Sequence, residues 1–161
     1  MKDRSLRQAS RIATVAVLLF GAAIPLLAAM KNWAVIVAAG SKLQDVALAD
    51  LSKYCKGTQK SWPDGRSFTL VVRNPDSPEM RGALEKLLAG GAAEAKPGAM
   101  KLGEARSVLK VVESDEELIR VVGSTPGAVG LVDVYSINSS VKVLRVDGKL
   151  PFDAGYSLKV N

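Results

Sequence analysis

The apolar positions change period several times between residues 33 and 146, and each change predicts a new element. Trp33 to Ala39 is one continuous apolar run closed by Gly40, the pattern of a strand covered on both faces. From Asp45 to Gly57 the spacing lengthens. Leu48, Leu51 and Cys55 share a helical face, Lys53 and Lys56 fall in the last turn, and Gly57 is the stop. SWPDG (61–65) has its proline and glycine where turns favour them, and SFTLVVR (67–73) is a second strand. In SPEMRGALEKLLAGG, Met80, Leu84, Leu87 and Leu88 line one helical face and Gly90 ends it. Residues 91–106 are rich in Ala, Gly and Lys without a steady period and predict a surface loop. SVLKVV is a further strand. SDEELIRVVG opens with a capping box, Ser114 with Glu117 three residues on, and Asp115 and Glu116 suit the positive end of the helix dipole. TPG then turns the chain into the strand AVGLVD, and VKVLRV with its DG turn follows. Strands alternating with helices predict an α/β domain, with helices packed on a mixed, mostly parallel sheet.

The N-terminus follows a different pattern. Lys2, Arg4, Arg7 and Arg11 stand against Asp3, and an uncharged apolar run from Ile12 to Met30 comes next, with small residues at Ala28 and Ala29. This is the layout of a secretory signal peptide over residues 1–29. The run is also close to the length that crosses a bilayer, so a retained signal anchor is the competing reading. Arginines ahead of the apolar run place the remainder outside the cytoplasm in either case. The expectation is an exported, periplasmic protein that touches a membrane only through its N-terminal segment, if that segment stays uncleaved.

Charge and composition narrow the chemistry. The chain has 161 residues and a net charge of +6. Half of that charge lies in residues 1–29, which leaves the rest mildly basic and biased toward anions. No run of lysines and arginines is interleaved with aromatics, so nucleic acid is not an expected partner. The absence of histidine removes Ser-His-Asp and Cys-His catalysis and the common zinc sites. Cys55, the sole cysteine, forms no internal disulfide and reads as a small buried hydrophobe. Asp64 belongs to a turn, and Asp115, Glu116 and Glu117 belong to a capping box. Trp62 reads as a core anchor behind its turn. No catalytic residue, metal site or cofactor is implied, and the chain does not read as an enzyme.

The stretch that carries most of the functional question is VVRNPDSPEMRGALEKLL (71–88). A strand ends in Arg73, a polar turn follows, and a helix starts after Ser77. Helix starts present free N–H groups and a positive dipole to anions, and an arginine can add a forked contact. The same residues also read as plain helix punctuation. Ser77 is then an N-cap, Pro78 sits at the first helical position, and Glu79 complements the dipole.

Several segments together resemble a known family. DLSKYCKGTQKSWPDG is similar to its Gly-Lys-x-x-x-Trp-x-x-Gly-like stretch, and VVRNPDSPEMRGAL to its strand and Arg-x-x-x-Ser segment. STPGAVGLVD is similar to its Pro-Gly-Ala-(Ile/Val)-Gly-(Tyr/Leu)-Val signature, and VKVLRVDGKLPFDAGYSL to the ending of small exported members. The family is the type 2 periplasmic binding proteins, specifically the phosphate-type substrate-binding proteins of ABC transporters. The resemblance covers residues 33–158 and implies a single lobe of that fold. The Gly- and Ser-rich phosphate loop of the other lobe has no counterpart; AAGSKL is the nearest fragment.

By the resemblance, phosphate or a similar oxyanion is held by Arg73, by Ser77 and by the backbone N–H groups of Glu79 and Met80. Pro78 and Glu79 depart from the family's Gly-Thr at those positions. The implied partners are the oxyanion and a membrane transporter or envelope protein. The alternative is a non-enzymatic, ligand-free interaction or structural module that keeps the lobe and docks on a protein partner.

Overall fold

The computed structural model describes residues 31–91 and 105–160. The predicted leader (1–29) and most of the predicted loop (91–106) lie outside the described residues. Among the described residues, eight strands and three whole helices follow in chain order: β1 (Lys31–Ala38), β2 (Asp45–Val46), α1 (Leu48–Cys55), β3 (Thr69–Arg73), α2 (Pro78–Ala89), β4 (Leu109–Val112), α3 (Asp115–Ser124), β5 (Ala128–Asp133), β6 (Val141–Val143), β7 (Arg145–Val146) and β8 (Lys159–Val160). A short 3-10 turn, Val134–Ser136, follows β5.

The main sheet runs β4-β3-β5-β1-β6, with β8 added beside β1. The pairs β3–β4 and β3–β5 are parallel, whereas β1 is antiparallel to β5, β6 and β8. The sheet is mixed, but it is less parallel than the alternation of elements suggested. A continuous apolar run reports burial on both faces and carries no information on strand direction. A separate parallel pair joins β2 to β7.

Pleating sorts the buried residues into two cores. Trp33, Val35 and Val37 of β1, Leu70 and Val72 of β3, and Val129 and Leu131 of β5 face α1 and α2. Ala34, Ile36, Val71, Ala128 and Val132 face Leu118, Ile119 and Val122 of α3 on the other side. Strands covered on both faces need apolar residues at successive positions, and the unbroken runs of β1 and β5 follow from that. Gly130 lets α3 come close. A Cβ there would lie 2.7 Å from Leu118 Cδ2 and 2.9 Å from both Ile36 Cγ1 and Val122 Cγ2.

Trp62 and Cys55 are core residues. Trp62 packs between Tyr54 and Phe68, with ring centroids 4.4 and 5.6 Å away, and its indole N–H donates to the Gly127 carbonyl at 2.9 Å. Gly127 adopts φ +84°, and a side chain there would run into the Ser67 carbonyl oxygen. The SWPDG and STPG turns are thereby locked together at one end of the sheet. Cys55 is fully buried, and burial pushes its thiol up to about 12.

Candidate anion-binding site

The opposite end of the sheet collects the features singled out in the sequence. Both parallel strands β3 and β4 are followed by helices, so the N-termini of α2 and α3 lie at this end, on opposite faces. Arg73 is the last residue of β3. Val71, two residues earlier, points into the α3 core, and strand alternation sends Arg73 to the same side. There its Nε donates to Asp115 Oδ1 at 3.1 Å. The other carboxylate oxygen, Oδ2, accepts from the Ser136 hydroxyl at 2.7 Å. Asp115 thus joins the end of β3, the start of α3 and the 3-10 turn after β5. The Arg73 side chain is 44 % exposed and that of Asp115 20 % exposed, so water weakens this ion pair.

After Arg73 the chain turns sharply. Asn74 takes a left-handed φ of 43°, which asparagine tolerates better than most side chains. The Ser77 N–H closes the turn on the Asn74 carbonyl at 3.1 Å. Ser77 is the N-cap of α2: its hydroxyl accepts from the Met80 N–H at 3.2 Å. Pro78 occupies the first helical position, where its missing N–H leaves no bond unmade. Glu79 lies exposed in the first turn, and Gly90 ends the helix in the left-handed conformation.

The start of α3 is strongly acidic. The Ser114 hydroxyl accepts from the Glu117 N–H at 3.1 Å, and Glu117 Oε2 accepts from the Glu113 N–H at 3.1 Å. The predicted box forms, with Glu117 reaching one residue beyond the cap. Glu116 is held below the usual carboxylate range by its own backbone N–H, then by the Ser114 hydroxyl, with Arg73 adding to the pull. The dipole of α3 is therefore complemented by the chain's own carboxylates.

The structure brings Arg73 together with Asp115 and Ser136, a pairing not anticipated from the sequence. Ser77, Glu79 and Met80 form the start of α2 on the other face of the sheet. Among the described residues, Arg73 makes no ion pair with Asp76 or Glu79, and no cluster of three metal-ligating side chains occurs. Asp115 was legible only as a helix-start residue; the parity of Arg73 with Val71 is the signal that points to it.

No protein-family model and no curated sequence matches the chain. Solved structures do. PstS from Borrelia burgdorferi superposes with a TM-score of 0.63 at 19% identity, over 82% of this chain and 55% of its own. An ABC-type phosphate transport receptor from Vibrio cholerae gives a TM-score of 0.61 at 19% identity, over 76% of this chain and 48% of its own. A protein from Clostridium perfringens, assigned as a phosphate ABC transporter substrate-binding protein and solved with bound phosphate, gives 0.61 at 16% identity, over 74% and 46%. The chain therefore has the fold of phosphate-type substrate-binding proteins, and it spans about half of their length.

Proposed function

We propose that the chain is an exported solute-binding module that takes phosphate or a similar oxyanion at the strand end marked by Arg73, without catalysing a reaction. The observation that carries this reading is the coincidence of a phosphate-binding-protein fold with an arginine at the β3 terminus, at the same sheet end as a serine-capped helix start on the other face. A guanidinium has five donors, and Asp115 is held through Nε, so the terminal N–H groups can fork a second acceptor. Ser77 and the N–H of Glu79 at the start of α2 would add donors only to an ion seated over the sheet end, with Arg73 turned toward it from the α3 side. The Met80 N–H would be shared with the Ser77 hydroxyl.

Titration calorimetry of phosphate, with sulfate as control, tests this reading. Saturable phosphate heat is expected for the unmodified protein and its loss in Arg73→Ala. Phosphate binding that survives Arg73→Ala excludes the site. Asp115 competes with the ligand for Arg73, so Asp115→Asn should tighten phosphate binding. A half-exposed ion pair contributes at most about 1 kcal/mol, so the gain should be up to about fivefold.

One observation favours a second reading, an interaction module that docks on an envelope partner or transporter. Arg73 already has an anionic partner in Asp115, which is itself held by Ser136. If no oxyanion gives heat with either Arg73 or Asp115→Asn while circular dichroism shows a folded domain, this second reading stands.

A further inference from the structure

Large apolar side chains are seldom left exposed side by side, and among the described residues Tyr135 and Phe152 form such a pair. Tyr135 is 83% and Phe152 62% exposed, and their ring centroids lie 6.3 Å apart. Their position in the fold is informative. Tyr135 follows the C-terminal end of β5, and β1 starts at that same end, with Trp33 opposite Asp133. Lys31, the first residue of β1, pairs with Val160 of β8, and Asn32 pairs with Lys159.

Two lysines hold the turn that carries Phe152, and a third opens β1 at the same end of the sheet. Lys159 Nζ donates to the Asp153 carbonyl at 3.0 Å and Lys149 Nζ to the Gly155 carbonyl at 3.3 Å, both in the turn that carries Phe152. Lys31 Nζ stands 5.7 Å over the Trp33 ring. Asp153 accepts from the Leu150 N–H and Asp133 from the Tyr135 N–H, while Asp115, bonded to Ser136 next to Tyr135, is paired with Arg73. Exposed aromatics with lysines beside them are the composition that settles at a membrane–water interface.

The chain itself says what lies beyond this rim. The uncharged apolar residues Ile12–Met30 connect directly to Lys31 and so enter the domain at the aromatic rim. We propose that the Tyr135–Phe152 rim is the face this domain lays against a lipid bilayer, with residues 12–30 as the tether. A tether makes weak surface contacts effective by holding the domain at high local concentration. The rim adjoins the Arg73 site, because Tyr135 lies in the 3-10 turn whose Ser136 holds Asp115, the partner of Arg73; membrane contact and oxyanion binding share this end of the sheet.

The test uses the full chain reconstituted into vesicles of phosphatidylcholine and phosphatidylglycerol that carry brominated acyl chains. Trp33 and Trp62 are buried and give a shielded background. The tryptophan introduced by Phe152→Trp, or independently by Tyr135→Trp, should shift to the blue and lose most of its emission to the bromines. Lys60→Trp, at the opposite end of the sheet, should keep its emission. Equal quenching at both ends, or none at position 152 or 135, overturns the proposal. So does an intact mass for the cell-derived protein that lacks residues 1–29, because the tether would be gone.

Discussion

Cys55 shows how one buried group ties stability to pH. Its thiol titrates near 9.0 in an ordinary environment and is pushed up to about 12 in the fold, because burial disfavours the thiolate. Below pH 9 the thiol is protonated in both folded and unfolded chains and has no effect on the balance. As pH rises from 9 toward 12 the unfolded thiol ionises first, so stability falls by up to about 1.4 kcal/mol per pH unit. Cys55→Ala should remove the part of the alkaline loss that begins near pH 9, as read by urea unfolding at a series of pH values. The same burial predicts that the thiol resists aromatic disulfide reagents until the protein unfolds. Identical alkaline slopes with and without the cysteine would show that other groups carry the loss.

At the level of elements, the packing of α3 on the sheet depends on Gly130. Three side-chain carbons lie within 3 Å of the place a Cβ would occupy, all from the α3 core. Gly130→Ala therefore requires α3 or Ile36 to move, at a cost of about 1–3 kcal/mol for overpacking a filled core. A lower urea midpoint with unchanged slope is the expected result; an unchanged midpoint would mean that α3 slides outward freely. Elements of this kind were readable from the chain because their periods are long. The apolar stripes of α1 and α2, the capping box of α3 and the runs of β1, β3 and β5 each appear, although α1 starts at Leu48 and the Asp45–Val46 read as its start is a strand. The pieces that escaped are the two-residue strands β2 and β8, the split of the VKVLRV run into β6 and β7, and the turn at Val134–Ser136, where pairing is set by distant partners rather than by local pattern. Strand direction escaped for the same reason. Of the candidate site, the cap at Ser77 was legible because it is local. The Asp115 partner of Arg73 was not, because capping chemistry already accounted for that carboxylate.

For the molecule as a whole, the proposed oxyanion site rests on the donors that the described lobe supplies. The described lobe offers donors from its own side only, so an ion that it alone held at Arg73 would be open to water and to mobile counterions. The overall charge of +6 draws anions in, but half of it lies in residues 1–29, and Arg73 is partly neutralised by Asp115. Attraction at an open site of this kind is screened over the Debye length, which shrinks from about 10 Å at about 0.1 M salt to about 3 Å at about 1 M. Phosphate affinity should therefore weaken steadily as chloride is raised across that range, and the Asp115→Asn variant should show the same trend from a tighter start. An affinity that does not change with salt would contradict an open, one-sided site. It would mean that a second surface closes over the ion, and sedimentation with and without phosphate would then show whether that surface belongs to another copy of the chain.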